Sequence, residues 1–597
     1  MPYNPENPLI VQSDMTILLE TMGALYEPAR DFLAQFAELT KSPEYLHTYT
    51  LTPLSLWNAA SAGMTAVEVN DGLNRWAKYD IPRNVSAEIR ELMARYGRVK
   101  LHQTPDGLVI TSEDPNALAE ICASNQTSPF IERQLDTKSI LLKPGTRGRA
   151  KQALIKIGYP VEDLAGYREG DQLDVGFRKV TLAGRDFSLR HYQKEAVDLF
   201  YLNGSARGGS GTLVLPCGAG KTIIGISCMV SVGQRCLILT TNVTSVRQWV
   251  TEILDKTDLT TEQVGEYSAE NKTVRPVTVT TYQMMTYRKR GEDEYPHLDV
   301  FMKHAWGLVI YDEVHLLPAP VFRTTAEIQA MRRVGLTATL VREDGREDDV
   351  FSLIGPKRFD KPWKELEREG FIAEATCTEI RIPLPEDRKL EYAVAELKAK
   401  YRLSMENPYK IQVVQQLLER HKDDHVLVIG QYLDQLENVR RVTGAPIITG
   451  QTPNDERDRL YADFKKGRIR TLIVSKVANF AVDLPDANVA IQISGTFRSR
   501  QEEAQRVGRV LRPKPGDNQS TFYSVVTKDT KDQECAKKRS MFLTEQGYRY
   551  KIAVVEEKQN KLDVLGALDG IHEATFVADD TSEDPNAEDE LLAADDE

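Results

Sequence analysis

Two short stretches carry residue types that can do phosphoryl chemistry. The first, Gly218-Ala219-Gly220-Lys221-Thr222, follows the apolar run Leu213-Val214-Leu215 and opens a helical segment at Ile223-Ile224-Gly225-Ile226. Glycines in a strand-to-helix turn let backbone N–H groups approach phosphate oxygens. Lys221 adds positive charge at the β/γ positions, and the Thr222 hydroxyl suits magnesium. Leu215 stands where the first glycine of the usual G-x-x-x-x-G-K-[ST] pattern falls. The second stretch is Asp312-Glu313-Val314-His315, at the end of the apolar run Gly307-Leu308-Val309-Ile310-Tyr311. A buried strand delivering two adjacent carboxylates downstream of a phosphate loop supplies the other half of an ATPase site. Asp312 would hold hydrated magnesium, and Glu313 would polarise the attacking water.

Other residues gather around these two. Arg190-His191-Tyr192-Gln193 opens a helical pattern upstream of Lys221, and Gln193 offers the donor and acceptor that an adenine edge requires. Thr337-Ala338-Thr339 ends another apolar run, a place where nucleotide state can be coupled to movement. A second α/β series follows, with apolar strands expected at 426–429, 471–474, 489–493 and 521–526, but it contains no second G-K-[ST] loop. One phosphate loop for two α/β domains implies one ATP and a charge contributed by the second domain. Gln505-Arg506-Val507-Gly508-Arg509-Val510-Leu511-Arg512 provides it, with Arg509 and Arg512 three apart on one helix face. Arginine fingers of this kind are worth ~10³ to 10⁵ in rate.

The elements that must position these residues belong to a long chain. At 597 residues it requires several domains. The net charge of −12 argues at first against a nucleic-acid partner. Residues 579–597, however, hold ten acids and no Lys or Arg, so the rest of the chain is close to neutral and free to carry basic patches. That tail has almost no aromatic or β-branched residues and is expected to be disordered. No run is long and apolar enough for a membrane span, and Met1-Pro2-Tyr3-Asn4-Pro5 does not begin a secretory leader. Six scattered cysteines without a C-x-x-C pair fit reduced thiols in the cytoplasm rather than disulfides or zinc.

Before the phosphate loop, residues 52–111 read as three helices and a hairpin. Thr52-Pro53 starts the first helix, Thr65 and Glu68 have capping-box spacing for the second, and Pro105-Asp106-Gly107 turns the hairpin. This is a winged-helix outline, compatible equally with DNA binding and with protein docking. Lys143, Arg147, Arg149, Lys151 and Lys156 then cluster around Pro144-Gly145, either to grip phosphates or as a solvated face.

In order and spacing, Arg190-x-Tyr192-Gln193, Gly218-x-Gly220-Lys221-Thr222, Asp312-Glu313-Val314-His315, Thr337-Ala338-Thr339 and Gln505-Arg506-x-Gly508-Arg509-x-x-Arg512 resemble the superfamily-two helicases. Four stretches narrow the resemblance to the XPB helicases: Ile310-Tyr311-Asp312-Glu313-Val314-His315-Leu316-Leu317-Pro318-Ala319, Gly335-Leu336-Thr337-Ala338-Thr339-Leu340-Val341-Arg342-Glu343-Asp344, Val474-Ser475-Lys476-Val477 and Arg500-Gln501-Glu502-Glu503-Ala504-Gln505-Arg506. The resemblance implies an α/β fold of two tandem RecA-like domains, with ATP and Mg²⁺ in their cleft, DNA across their top and 3′-to-5′ polarity. It further implies an accessory domain at 1–129 and a damage-recognition-like region at 130–184. The RecA-like domains fall at 185–355 and 409–556, a thumb-like insertion at 356–408 and the acidic tail at 557–597. Arg342-Glu343-Asp344 matches the element implicated in separating the duplex. Arg247-Gln248-Trp249 and Thr280-Thr281-Tyr282 match motifs that touch the DNA backbone. Backbone contacts carry no base information, so binding should be non-specific and strongly salt-dependent.

Two alternatives share the ATPase residues. One is a translocase that moves on duplex DNA without opening it. The other is an ATP-gated scaffold for a nuclease, repair-protein or transcription partner.

Overall fold

In a computed structural model the described residues are 3–41, 45–164, 170–205, 208–288, 295–316, 325, 328, 330–338, 350, 353–475, 487–495, 503, 506–508, 518–545, 548, 550–558 and 561–570. The chain forms two compact units, Met1–Pro216 with Gly220–Pro362, and Trp363–Glu597 with Cys217–Ala219. Among the described residues no helix is long and apolar enough to cross a membrane, and all six cysteines are free.

The first unit begins with an antiparallel sheet in the order Leu9–Val11, Thr16–Glu20, Leu46–Thr50, Glu38–Lys41. Three helices follow, Pro53–Ser61, Ala66–Trp76 and Arg83–Met93. Their starts are written locally. Thr52 Oγ1 accepts from Ser55 N at 3.0 Å with Pro53 in the first turn, and Glu68 Oε2 accepts from Thr65 N at 2.7 Å. A cap of this kind contributes about 1 kcal/mol. Leu56, Val69, Leu73, Val85 and Ile89 pack with Leu9, Ile17 and Leu19 into one core.

Three helices and a hairpin thus form where the sequence places them, but the hairpin is not their wing. Val99–Thr104 and Gly107–Ser112 belong to a separate five-stranded sheet, in the order Ile131–Asp136, Ser139–Leu142, Gly107–Ser112, Val99–Thr104, Val161–Asp163. That sheet packs against Pro115–Ala123 and Arg147–Lys156 through its own core of Val99, Leu101, Ile110, Leu118, Ile140 and Leu154. It also joins residues on both sides of position 129. The helices lie instead on the N-terminal sheet, whose strands of three to five residues are too short for a period-two pattern to stand out.

The rest of the first unit is a seven-stranded parallel sheet, ordered Val264–Tyr267, Val277–Thr281, Cys236–Thr240, Leu308–Asp312, Arg332–Thr337, Ser210–Val214, Lys357–Asp360. Cys236–Thr240 and Val277–Thr281 are buried at every position, as strands covered on both faces must be. In such sheets ligands bind beyond the carboxyl ends of the strands, where the two chemical stretches fall.

The second unit carries another all-parallel seven-stranded sheet, ordered Ile447–Ile448, Thr471–Val474, Val426–Ile429, Val489–Gln492, Gln519–Thr527, Glu374–Ile382, Tyr550–Val554. The tandem α/β expectation is met. The stretch assigned to a thumb-like insertion divides differently. Glu374–Ile382 pairs along its length with Gln519–Thr527, and buried Cys377, Ile380 and Ile382 fix it in the sheet. The helices Trp363–Arg368, Glu386–Val394 and Leu397–Met405 stand outside the sheet. Leu390 and Val394, one turn apart, are 77% and 78% exposed.

A fully buried ion network ties this sheet together. Lys410 Nζ lies 2.7 Å from Asp532 Oδ2 and donates to Ile493 O at 2.8 Å. Asp532 Oδ2 also accepts from Thr527 N at 2.9 Å. Burial pulls the Lys410 ammonium below its usual range, so the pair depends on this exact set of partners. Lys410→Met should destabilise the second unit by about 3–5 kcal/mol, because it takes the nearer cation from a buried carboxylate that Arg539 reaches only at 3.5 Å. A lowered urea midpoint, with the first unit's transition unchanged, is the expected reading.

Candidate active site

The phosphate loop joins strand Ser210–Val214 to helix Lys221–Val232. Gly218 and Gly220 have φ of 84° and 79°, the left-handed region that glycine enters without cost. Gly220 is required twice over, since a Cβ there would lie 2.6 Å from Gln193 Nε2. Gln193 is buried, and its Oε1 accepts from Arg190 N at 3.0 Å, closing the first turn of helix His191–Tyr201. Arg190 Nη1 donates to the Tyr192 hydroxyl at 2.9 Å. Gln193 is therefore the cap of its own helix, with its amide nitrogen against the phosphate loop.

Across from the loop, strand Leu308–Asp312 ends in the carboxylate pair. Asp312 Oδ2 accepts from Trp249 Nε1 at 2.8 Å, Asp312 Oδ1 from Glu313 N at 3.1 Å, and Asp312 O from the Tyr282 hydroxyl at 2.7 Å. Burial and the neighbouring Glu313 carboxylate push the Asp312 carboxyl up to about 6, while Trp249 and Lys221 pull it down. Glu313 sits at φ 49°, a backbone state that costs a non-glycine residue about 1–3 kcal/mol and recurs at active sites. This turn brings Glu313 Oε1 to 3.8 Å from Lys221 Nζ. Buried His315 is 2.5 Å from Thr337 Oγ1 through Nδ1 and 3.5 Å from Glu313 Oε2.

The arrangement fits a magnesium-bound triphosphate. Two glycines free the loop backbone, an ammonium faces a carboxylate, and a second carboxylate is fixed by donors on both oxygens. Thr222 stands in the first turn of the helix, where its hydroxyl could serve as a metal ligand. Lys221, Thr222, Asp312, Glu313, Gln193 and Thr337 all lie at the loop or at strand ends on this side of the sheet.

Other expected residues lie elsewhere. Trp249 is 1% exposed; its ring packs where a Cβ on Gly225 would meet it at 2.5 Å, and its indole serves Asp312. Thr280, Thr281 and Tyr282 are buried as well. Trp249 and Tyr282 donate to Asp312, and the Thr281 side chain caps helix Tyr282–Thr286. Arg247 remains at the surface, 3.4 Å from Glu270 and 3.9 Å from Glu266, and Gln248 is half-buried. Thr339, Arg342, Glu343, Asp344, Gln505, Arg509 and Arg512 lie outside the described residues.

In the second unit, the described residues beside the arginine-finger motif reveal a support that sequence reasoning missed. Buried Arg506 Nη1 donates to Gln492 Oε1 at 2.7 Å, and Gln492 Nε2 donates to Glu503 Oε2 at 2.7 Å. Arg539 stands 3.8 Å from Glu503 and 3.5 Å from Asp532, linking this motif to Lys410. No local pattern announces these long-range partners. For Trp249 a signal did exist: Gly225 inside a helical pattern marks a close approach.

A single phosphate loop, a strand-borne Asp-Glu pair and two parallel sheets define the superfamily-two class of nucleic-acid motors. Family models described as ERCC3/RAD25/XPB C-terminal helicase, helicase conserved C-terminal domain, and type III restriction enzyme res subunit match residues 366–595, 9–136 and 186–342. A protein of Kineococcus radiotolerans named DNA 3′-5′ helicase XPB is 50% identical over 95% of this chain and 100% of its own. One of the same name from Mycobacterium tuberculosis is 50% identical over 91% and 97%. The Saccharomyces cerevisiae general transcription and DNA repair factor IIH helicase/translocase subunit XPB/SSL2 is 31% identical over 92% and 72%. The chain belongs to the XPB family of DNA helicases.

Two outcomes follow from the carboxylate's environment. Trp249→Phe removes a donor to a charged group, so ATP turnover should fall about 10- to 100-fold and the acid limb of its pH profile should move upward. An acid whose folded pKa is raised contributes stability only while protonated, and loses it as pH rises through about 6. In metal-free protein Asp312→Asn should therefore raise Tm by a few degrees at pH 8. Differential scanning calorimetry should show that gain fading as pH falls from 6 toward 4.

Proposed function

We propose that the chain is an ATP-dependent DNA helicase that moves 3′ to 5′ and opens duplex DNA in repair. The observation that carries this reading is Glu313, turned by its left-handed backbone to face Lys221 beside the doubly held Asp312.

The chemistry follows from the geometry. When bound, ATP with its magnesium supplies the phosphoryl group and the free energy for movement. Lys221 and the loop N–H groups hold the phosphates, and Thr222 and Asp312 provide oxygens for the metal. Glu313 orients water and takes up proton density from it. Gln193 and Arg190 are placed for the base. Arg509 and Arg512, with Gln505, are assigned the charge contributed by the second RecA-like domain. The His315–Thr337 contact carries a change at Glu313 into strand Arg332–Thr337 and so toward Thr339 and Arg342-Glu343-Asp344. Arg247 and Gln248 remain the candidates for backbone contacts to DNA, and a nuclease or repair protein is the proposed partner class.

Forked DNA with a 3′ or a 5′ single-stranded tail tests this. Wild-type protein with ATP should displace a strand only from the 3′-tailed fork. Glu313→Gln should lose displacement and about 10² to 10⁴ in turnover, the usual contribution of a general base. DNA-stimulated turnover without displacement would instead identify a duplex translocase, and absence of both would point to a scaffold.

A further inference from the structure

A cavity with a mixed polar and apolar lining lies in the first unit, away from the phosphate loop. Its volume is about 530 Å³, and it is walled by helices Pro53–Ser61 and Arg147–Lys156, the starts of strands Ser210–Val214 and Arg332–Thr337, and the segment 353–358. In a parallel sheet these are the amino ends of the strands, whereas Lys221, Asp312 and Glu313 stand at the carboxyl ends.

The lining is strongly cationic in an acidic chain. Arg147, Lys151, Arg332, Arg333 and Arg358 face it, against one acid, Asp163. Asp163 is already engaged, 2.7 Å from Arg147 and 2.8 Å from Lys151. Arg333 donates to Ile328 O at 2.6 Å and to Leu353 O at 3.1 Å. Arg332 reaches Gly204 O at 3.5 Å and lies over the Tyr201 ring. Neither of these two guanidiniums meets a carboxylate among the described residues. Three lining residues also keep a buried nitrogen without a hydrogen-bond partner: Asn58 Nδ2, Gln152 Nε2 and Arg332 Nε. Burying cations and donors without acceptors is costly, and each unmet donor costs about 1–3 kcal/mol. Such a set persists where an anion rich in acceptor oxygens completes it.

We propose that this cavity binds a small phosphate-bearing molecule, its phosphate between Arg332, Arg333 and Lys151 and the rest of it against the apolar wall of Leu54, Ile155 and Leu353. Five elements wall this cavity, and its volume is that of a small-molecule site. The residues come from the three-helix segment, the five-stranded module and the nucleotide-binding sheet. The ligand therefore bridges all three parts of the first unit.

Full-length Lys221→Ala, with its phosphate loop disabled, isolates the second site. Titrating it by calorimetry with inorganic pyrophosphate, and separately with AMP, without magnesium, should give saturable binding at one site. The stronger of the two identifies a free or a nucleoside-borne phosphate. Adding Arg332→Gln should weaken binding about 10- to 100-fold, the worth of one charge-assisted hydrogen bond. Lys151→Gln should weaken it in the same direction. In phosphate-free buffer Arg332→Gln should keep or raise Tm, since a like charge is removed, whereas Lys151→Gln gives up its pairing with Asp163 and should lower it; both should lose the ligand-induced rise in Tm. No binding of either probe to Lys221→Ala, or binding unchanged by both substitutions, overturns the proposal. Competition by forked DNA for the pyrophosphate signal also overturns it, in favour of a nucleic-acid surface.

Discussion

Two carboxylates on consecutive residues at the end of a buried strand repel each other, and the first unit is arranged to keep them usable. Asp312 is the harder case, since burial and Glu313 both favour its protonated form. Trp249 from the adjacent helix and the Glu313 main chain each donate to it, and Tyr282 fixes its carbonyl. The left-handed turn at Glu313 then sends the second side chain away from the first, toward Lys221. Strain, desolvation and hydrogen bonding are thus parts of one solution. Loosening any of them lets the pair share a proton, and a shared proton erases the difference between the two carboxylates.

The second unit solves a related problem with a different arrangement. The residues next to its arginine motif are anchored through Arg506, Gln492, Glu503 and Arg539 to the buried Lys410–Asp532 pair. Buried ion networks add little net stability over a well-packed apolar core, but they tolerate few alternative geometries. Gly495 shows how tight the fit is, because a Cβ there would lie 2.6 Å from the Arg539 guanidinium.

Much of the site was legible because its chemistry is local in sequence. Loop glycines, Lys221 and Thr222 are contiguous, as are Asp312 and Glu313, and each group adjoins an apolar strand whose period identifies the fold class. What the sequence hid depends on tertiary approach. Trp249 and Tyr282 sit in motifs associated with DNA, yet their side chains turn inward to the carboxylate strand, and only packing decides that. The hairpin at 99–112 was visible as a hairpin, but its partners, Ser139–Leu142 and Val161–Asp163, lie far along the chain. Strand Glu374–Ile382 was concealed by its charged positions, Glu374, Glu379 and Arg381, in a stretch otherwise rich in Glu and Lys.

Gln193 joins two demands in one planar head group. Its oxygen caps a helix while its nitrogen lies against Gly220. Glutamate would keep the cap and lose the donor, asparagine is a methylene too short, and lysine has no acceptor. Substitution at this position is therefore closed from two independent sides, one belonging to folding and one to the nucleotide loop. A lineage could change this residue only after finding another way to start that helix.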